Sequence, residues 1–163
     1  STGATNVLRQ VGKGPALVVF FLDVGKGTLA VVLARTLNLE DTIQVAAGLA
    51  CLTGHIWPIW LKWKGGKAVA TGLGMLLGLS WPVGLSSLGV FIAVLSLSRI
   101  VSLSSIITAF SLPLLMLFSF QRAAFSGAYF FLSLIAMTLV IWRHRSNFRR
   151  LLDGKEPKLG QNQ

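Results

Sequence analysis

AVATGLGMLLGLSWPVGLSSLGVFIAVLSL, running from Ala68 to Leu97, is the stretch on which the topology turns. Read as a single helix of about 30 residues it would be ~45 Å long, well beyond a hydrocarbon layer of ~30 Å. It also contains Pro82 directly after Trp81. Proline removes a backbone donor and disfavours helix in the residue before it, so a break is expected at Ser80-Trp81-Pro82. Two short helices, Ala68 to Leu79 and Val83 to Leu97, then form a hairpin.

Outward from this hairpin the chain alternates between apolar spans and short polar loops. Gly14 to Leu37 is apolar except for Asp23, Lys26 and Arg35, and an acidic loop with Glu40 and Asp41 follows it. Ile43 to Trp60 is a second span, and it ends at the basic run Lys62-Trp63-Lys64-Gly65-Gly66-Lys67. Ile100 to Phe120 and Ala124 to Trp142 complete the set, separated by Gln121 and Arg122. With the hairpin, the loops holding Arg9 and Lys13, then Lys62 to Lys67, then Arg143 to Arg150 fall on one side, and Glu40 and Asp41 fall on the other. A single long helix would put the C-terminal basic tail opposite the other two basic loops. The positive-inside bias selects the hairpin, and with it an active face and C-terminus towards the cytoplasm.

Composition agrees with lipid as the solvent. The 163 residues are 53% apolar and only 12% charged, with a mean hydropathy of +0.71. A water-soluble domain carries about 25% charged residues. The net charge of +10 would suggest nucleic acid in a soluble protein. Here the cations sit in short loops between apolar spans, which excludes nucleic acid and fits anionic lipid or phosphorylated substrates. The expected fold is therefore all-α: a polytopic integral membrane bundle forming one domain over residues 1–163, with about six transmembrane helices, two of them short. Cys51 is the sole cysteine, so neither an intrachain disulfide nor a thiolate metal cluster is available. Trp57, Trp60, Trp63 and Trp142 read as interfacial anchors, or alternatively as walls for an acyl chain. Asp23 and Lys26, three apart on one helical face, read as a structural ion pair or as a proton relay.

Three hydrophilic segments lie on the inferred basic face. Ser1-Thr2-Gly3-Ala4-Thr5-Asn6-Val7-Leu8-Arg9 offers small capping side chains and a guanidinium fork suited to phosphate. Gly54-His55-Ile56-Trp57-Pro58 leads into the lysine run, where Gly65 and Gly66 between Lys64 and Lys67 are expected to form a nest of N–H donors flanked by cations. The spacing does not match the Gly-x-x-x-x-Gly-Lys-Ser/Thr phosphate loop. His144-Arg145-Ser146-Asn147-Phe148-Arg149-Arg150 follows the last span, with Glu156 beyond. His144 is a candidate general base or phosphate donor near neutral pH.

Taken together and in this order, the three segments resemble the motifs of the bacterial acyl-phosphate:glycerol-3-phosphate acyltransferase family (PlsY). That family has Ser-Gly-Asn-x-Gly-Ala-Thr-Asn-x-x-Arg first, then Gly-His-x-x-Pro with a Lys-Gly-Gly-Lys-Gly-x-Ala-Thr loop, then His-x-x-Asn-x-x-Arg-Leu with a Gly and a Glu beyond. The resemblance covers essentially the whole chain. It departs at Ser1, where the family usually has Asn, and at Ala68, where it usually has Gly. The chain is expected to open inside the first motif, without the family's first transmembrane helix of seven.

The resemblance implies transfer of a fatty acyl group from acyl phosphate to the sn-1 hydroxyl of glycerol 3-phosphate. The products would be lysophosphatidic acid and inorganic phosphate, the start of phospholipid synthesis at the bacterial plasma membrane, with no metal or cofactor. On that reading Thr5, Asn6, Arg9, Lys64, Gly65, Gly66 and Lys67 bind substrate phosphate. His144 and Asn147 carry the chemistry, and Ser1, Gly3, His55 and Glu156 support the site. The mixed anhydride is already activated, so direct attack suffices, with His144 or the substrate's own phosphate as base. The His-x-x-x-x-Asp motif of other glycerolipid acyltransferases is absent: five residues after His55 is Trp60, and five after His144 is Arg149. A transporter with a broken-helix site is the rival from another class, but the polar residues gather at one face instead of lining a path across.

Overall fold

The computed structural model describes residues 2–119 and 127–160, and every described element is helical. Ser1, the loop residues Gln121 and Arg122, and the expected span ends at Phe120 and Ala124 lie outside the described residues. In chain order the helices are α1 (Ala4–Gln10), α2 (Lys13–Thr36), α3 (Asp41–Ile56), α4 (Val69–Leu79), α5 (Trp81–Ser98), α6 (Val101–Ser119), α7 (Gly127–Arg143) and α8 (Arg145–Leu152). A single 3-10 turn, Ile59–Leu61, lies between α3 and α4.

Among the described residues four stretches are long and apolar enough to cross a bilayer: Lys13–Thr36, Asp41–Leu61, Trp81–Ser98 and Val101–Ser119. A fifth is counted only if α7 and α8, bent by 60° at their junction, are taken together as one span. At 11 residues, α4 is ~16 Å long and cannot cross alone. The break between α4 and α5 is the single extended residue Ser80. Trp81 and Pro82 belong to the first turn of α5, where a proline's missing N–H costs nothing. Only one of the two hairpin helices is therefore short, since α5 reaches 18 residues.

The hairpin itself is fixed by its ends. Lys67, just before α4, bonds Asn147 of α8, and the Arg99 carbonyl, just after α5, accepts the Leu159 N–H at 2.7 Å. Both ends therefore reach the C-terminal segment, so the chain goes out along α4 and returns along α5. At the opposite end, the Tyr129 hydroxyl at the start of α7 donates to Gln44 at 2.8 Å and approaches Asp41 at 3.2 Å.

Burial is inverted relative to a soluble protein. Leu17, Phe21, Leu29, Leu97, Phe110 and Phe118 point outwards and are exposed. The interior holds Val31, Leu52, Met75, Leu132 and Ala136, with Ser102, Ser104, Ser105 and Ser133 beside them. With lipid outside, helices gain from close backbone approach more than from apolar burial. The α2–α4 crossing shows this, because a methyl group on Gly27 would overlap the Thr71 carbonyl and one on Gly74 the Val24 carbonyl. Thr28 Oγ1 reaches across to the Gly74 carbonyl at 2.9 Å.

Candidate active site

At the basic end, helices α1–α8 enclose a cavity of about 410 Å³. Its mouth is polar, with Thr5, Asn6, Arg9, Lys67, His144 and Asn147 in the wall. Its depth is apolar, with Leu73, Leu76, Leu88, Phe91, Leu112 and Val140. One space thus offers a cationic mouth and a greasy interior.

The mouth is organised around one carboxylate. Glu156 is buried, and its Oε1 accepts from Ser102 Oγ at 2.7 Å and from Asn147 Nδ2 at 2.6 Å. Arg150 Nε donates to Oε2 at 2.7 Å. Burial pushes the Glu156 carboxyl up, but these three donors outweigh it and hold the group below its ordinary range. Asn147 passes the order on: its Oδ1 accepts from Lys67 Nζ at 2.6 Å. Burial pushes the Lys67 ammonium down to about 8; Glu156 offsets part of this, and the like charges of Arg150, Arg9 and Arg143 add to it. Several cations around a half-buried ammonium make a place that attracts an anion.

His144 is 2% exposed and sits at the junction of α7 and α8, where the axis turns. Its Nδ1 lies 2.8 Å from the Val140 carbonyl, which assigns the proton to Nδ1 and leaves Nε2 as an acceptor. Burial pushes the imidazole down to about 4, against the opposing Val140 bond, so it is neutral at pH 7.

Most of the residues anticipated from sequence come together here. Gly3, Thr5, Asn6 and Arg9 line the cavity from α1 and its N-terminal flank, and His55 lines it from the end of α3. Two expectations are corrected. Lys64 is exposed and is not part of the cavity wall; the left-handed backbone at Lys62 and Trp63 turns that part of the loop outwards. The Gly65 and Gly66 amides are not an open nest either. They donate to the carbonyls of Ile56 at 3.2 Å and His55 at 3.1 Å, and the Gly66 carbonyl accepts from Arg143 Nε at 3.2 Å. Ala68 turns this segment into α4 at φ +60° while only 1% exposed, a conformation that costs a non-glycine residue about 1 kcal/mol. The tryptophans stay outside: the cavity wall contains none among the described residues, and Trp60 and Trp63 are exposed. Trp57 and Trp142 pack on each other with ring centres 5.7 Å apart.

Sequence reading missed Ser102 and undervalued Arg150. Ser102 had a signal: Ser102 and Ser105, three apart in an otherwise apolar run, fall on one helical face. Arg150 had one too: it is the arginine of His-x-x-Asn-x-x-Arg-Leu, three residues after Asn147.

Comparison with known proteins gives a consistent picture. A family profile described as "Glycerol-3-phosphate acyltransferase" matches residues 1–154. A protein of that name from Prochlorococcus marinus (strain MIT 9313) is 70% identical over 99% of this chain and 79% of its own length. One from Synechococcus sp. (strain CC9902) is 67% identical over 99% of this chain and 78% of its own. Two crystal structures of PlsY, described as an integral membrane glycerol 3-phosphate acyltransferase, share the fold at 38% identity. The glycerol 3-phosphate form has a TM-score of 0.87 and covers 97% of this chain and 78% of that one. The lysophosphatidic acid form has a TM-score of 0.86, over 97% and 79%.

Proposed function

The chain belongs to the glycerol-3-phosphate acyltransferase family, and from that premise we propose how its cavity performs the transfer. The protein is a multi-pass membrane enzyme that acylates glycerol 3-phosphate to lysophosphatidic acid. The donor we assign is acyl phosphate. Its head is a phosphate and its tail an apolar chain, matching a cavity with cations at the mouth and aliphatic residues beneath. Arg9 and Lys67 hold phosphate, with Thr5 and Asn6 beside them. His144 and Asn147 face the reacting hydroxyl.

The glycerol 3-phosphate hydroxyl oxygen attacks the acyl carbonyl carbon, forming the ester bond. The bond from that carbon to the phosphate oxygen breaks, and inorganic phosphate leaves with the bonding pair. The hydroxyl proton passes to His144 Nε2 or directly to the departing phosphate. No acyl-enzyme is needed, because the donor is already activated. Positioning and charge neutralisation carry the catalysis. The observation that carries this reading is the bonded chain Lys67–Asn147–Glu156 beside a neutral His144 at the mouth of an otherwise apolar cavity. The positive-inside bias of the basic loops supports a mouth that faces the cytoplasm from the bacterial inner membrane.

The test supplies the purified full-length protein with acyl phosphate and labelled glycerol 3-phosphate, and in a parallel arm with an acyl thioester as donor. Labelled lysophosphatidate and one equivalent of phosphate are expected from the first arm only. His144→Ala lowers the rate by about 10²–10⁴, the usual worth of a general acid–base group. Product from the thioester arm alone overturns the donor assignment, and no product from either arm overturns the reading.

A further inference from the structure

The transfer chemistry accounts for the residues at the mouth but not for a charged cluster inside α2. Asp23 and Lys26 are ion-paired one turn apart, and His55 from the last turn of α3 reaches both. Its Nδ1 lies 2.7 Å from Lys26 Nζ and 3.3 Å from an Asp23 carboxylate oxygen. Asp23 is 7% exposed and the His55 side chain 6%. Ionisable groups within a membrane-spanning helix are expensive to keep.

The other edge of the His55 ring rests on Gly66. A methyl group on Gly66 would overlap Nε2 and come within 2.8 Å of Cε1. The His55 carbonyl also takes the Gly66 N–H at 3.1 Å. From the opposite side, Arg143 grips the Gly66 carbonyl at 3.2 Å and the Gly65 carbonyl at 3.4 Å. The strap of residues 65–67 is thus clamped between α3 and α7, and its last residue is the lysine that bonds Asn147.

We propose that Asp23 and Lys26 fix the His55 ring as the wedge under Gly66, and so set where Lys67 presents its ammonium to substrate phosphate. His55 is a positioning residue, and the buried ion pair is its mount. This rests on the reading of Lys67 as a phosphate-binding cation. It gives the cluster a purpose that a proton relay does not, because Nε2 abuts the Gly66 backbone.

The test is a double-mutant cycle with Lys67, read both as KM and kcat and as equilibrium binding of labelled glycerol 3-phosphate. His55→Ala raises KM and Kd about tenfold while kcat changes less than about threefold. In the Lys67→Ala background the same substitution adds less than about twofold, because the group being positioned has gone. His55→Gln, whose amide reaches the Nε2 position against Gly66, recovers part of the affinity, and His55→Asn, which is too short to reach it, does not. A full tenfold effect persisting without Lys67, or a fall in kcat at constant KM, overturns the proposal. Asp23→Asn run through the same cycle decides the matter if His55→Ala does not fold. Wild-type protein that binds glycerol 3-phosphate without forming lysophosphatidate overturns acyl transfer, and the cycle read in Kd still judges the positioning.

Discussion

Lys67 shows how a single residue's environment becomes a measurable property. Its ammonium is pushed down to about 8, so it is charged below that pH and neutral above it. The kcat/KM for glycerol 3-phosphate should therefore fall about tenfold per pH unit above 8, as one required proton is lost. Lys67→Arg should carry this limb beyond pH 10, since a guanidinium does not titrate there. His144 shifts the same way for the same first reason, burial. With its imidazole pushed down to about 4, it is neutral above that pH and charges only as the pH falls through it. Nitrogen-15 spectra of histidine-labelled protein should show it as the Nδ1–H tautomer at pH 6, where an ordinary histidine is mostly charged. A fully protonated ring at pH 6 contradicts the assignment.

Among the elements, the C-terminal segment after α8 is held by the Glu156 side chain as well as by the Leu159 N–H bond to Arg99. Glu156 accepts from Ser102 of α6 and from Asn147 and Arg150 of α8. Glu156→Ala leaves these donors without their charged acceptor and should cost about 2–4 kcal/mol, visible as a lower unfolding temperature in detergent. Glu156→Gln should recover part of it. The folded carboxyl lies below the ordinary 4.5, so its contribution is complete above that pH. It is lost as the pH falls through the lower folded value. The α2–α4 crossing makes the opposite kind of prediction. Gly74→Ala puts a methyl group against the Val24 carbonyl and should cost about 1–3 kcal/mol by forcing the helices apart. Activity should fall with it, because α4 carries the Lys67 strap at its N-terminal end.

For the molecule as a whole the prediction is sidedness. The hairpin brings Lys67, Arg99 and the C-terminal segment to one end, while Glu40, Asp41 and Tyr129 lie at the other. In a Cys51→Ser background, Lys64→Cys should react with a membrane-impermeant maleimide only in inside-out vesicles, and Glu40→Cys only in right-side-out ones. Both residues are exposed and outside the cavity wall, so labelling reports topology without touching the site. Labelling of both from the same side contradicts the arrangement.

At this scale the sequence by itself determined the solvent, the helical class, the hairpin and the family motifs, because hydropathy runs, charge placement and Pro82 act locally along the chain. It also named most of the cavity mouth, since phosphate chemistry demands recognisable residue types. Only the tertiary structure decided which of those residues share a space. Lys64 and Lys67 are three apart and read alike, yet the left-handed turn at Lys62 and Trp63 sends one outwards. The Gly65 and Gly66 amides have the sequence of an open nest, yet the end of α3 accepts both. The bond from Ser102 to Glu156 and the link from Asp23 through His55 to the lysine strap join positions distant in the chain. No local pattern encodes such pairings, because they are set by how helices pack and by which buried polar groups must find each other there.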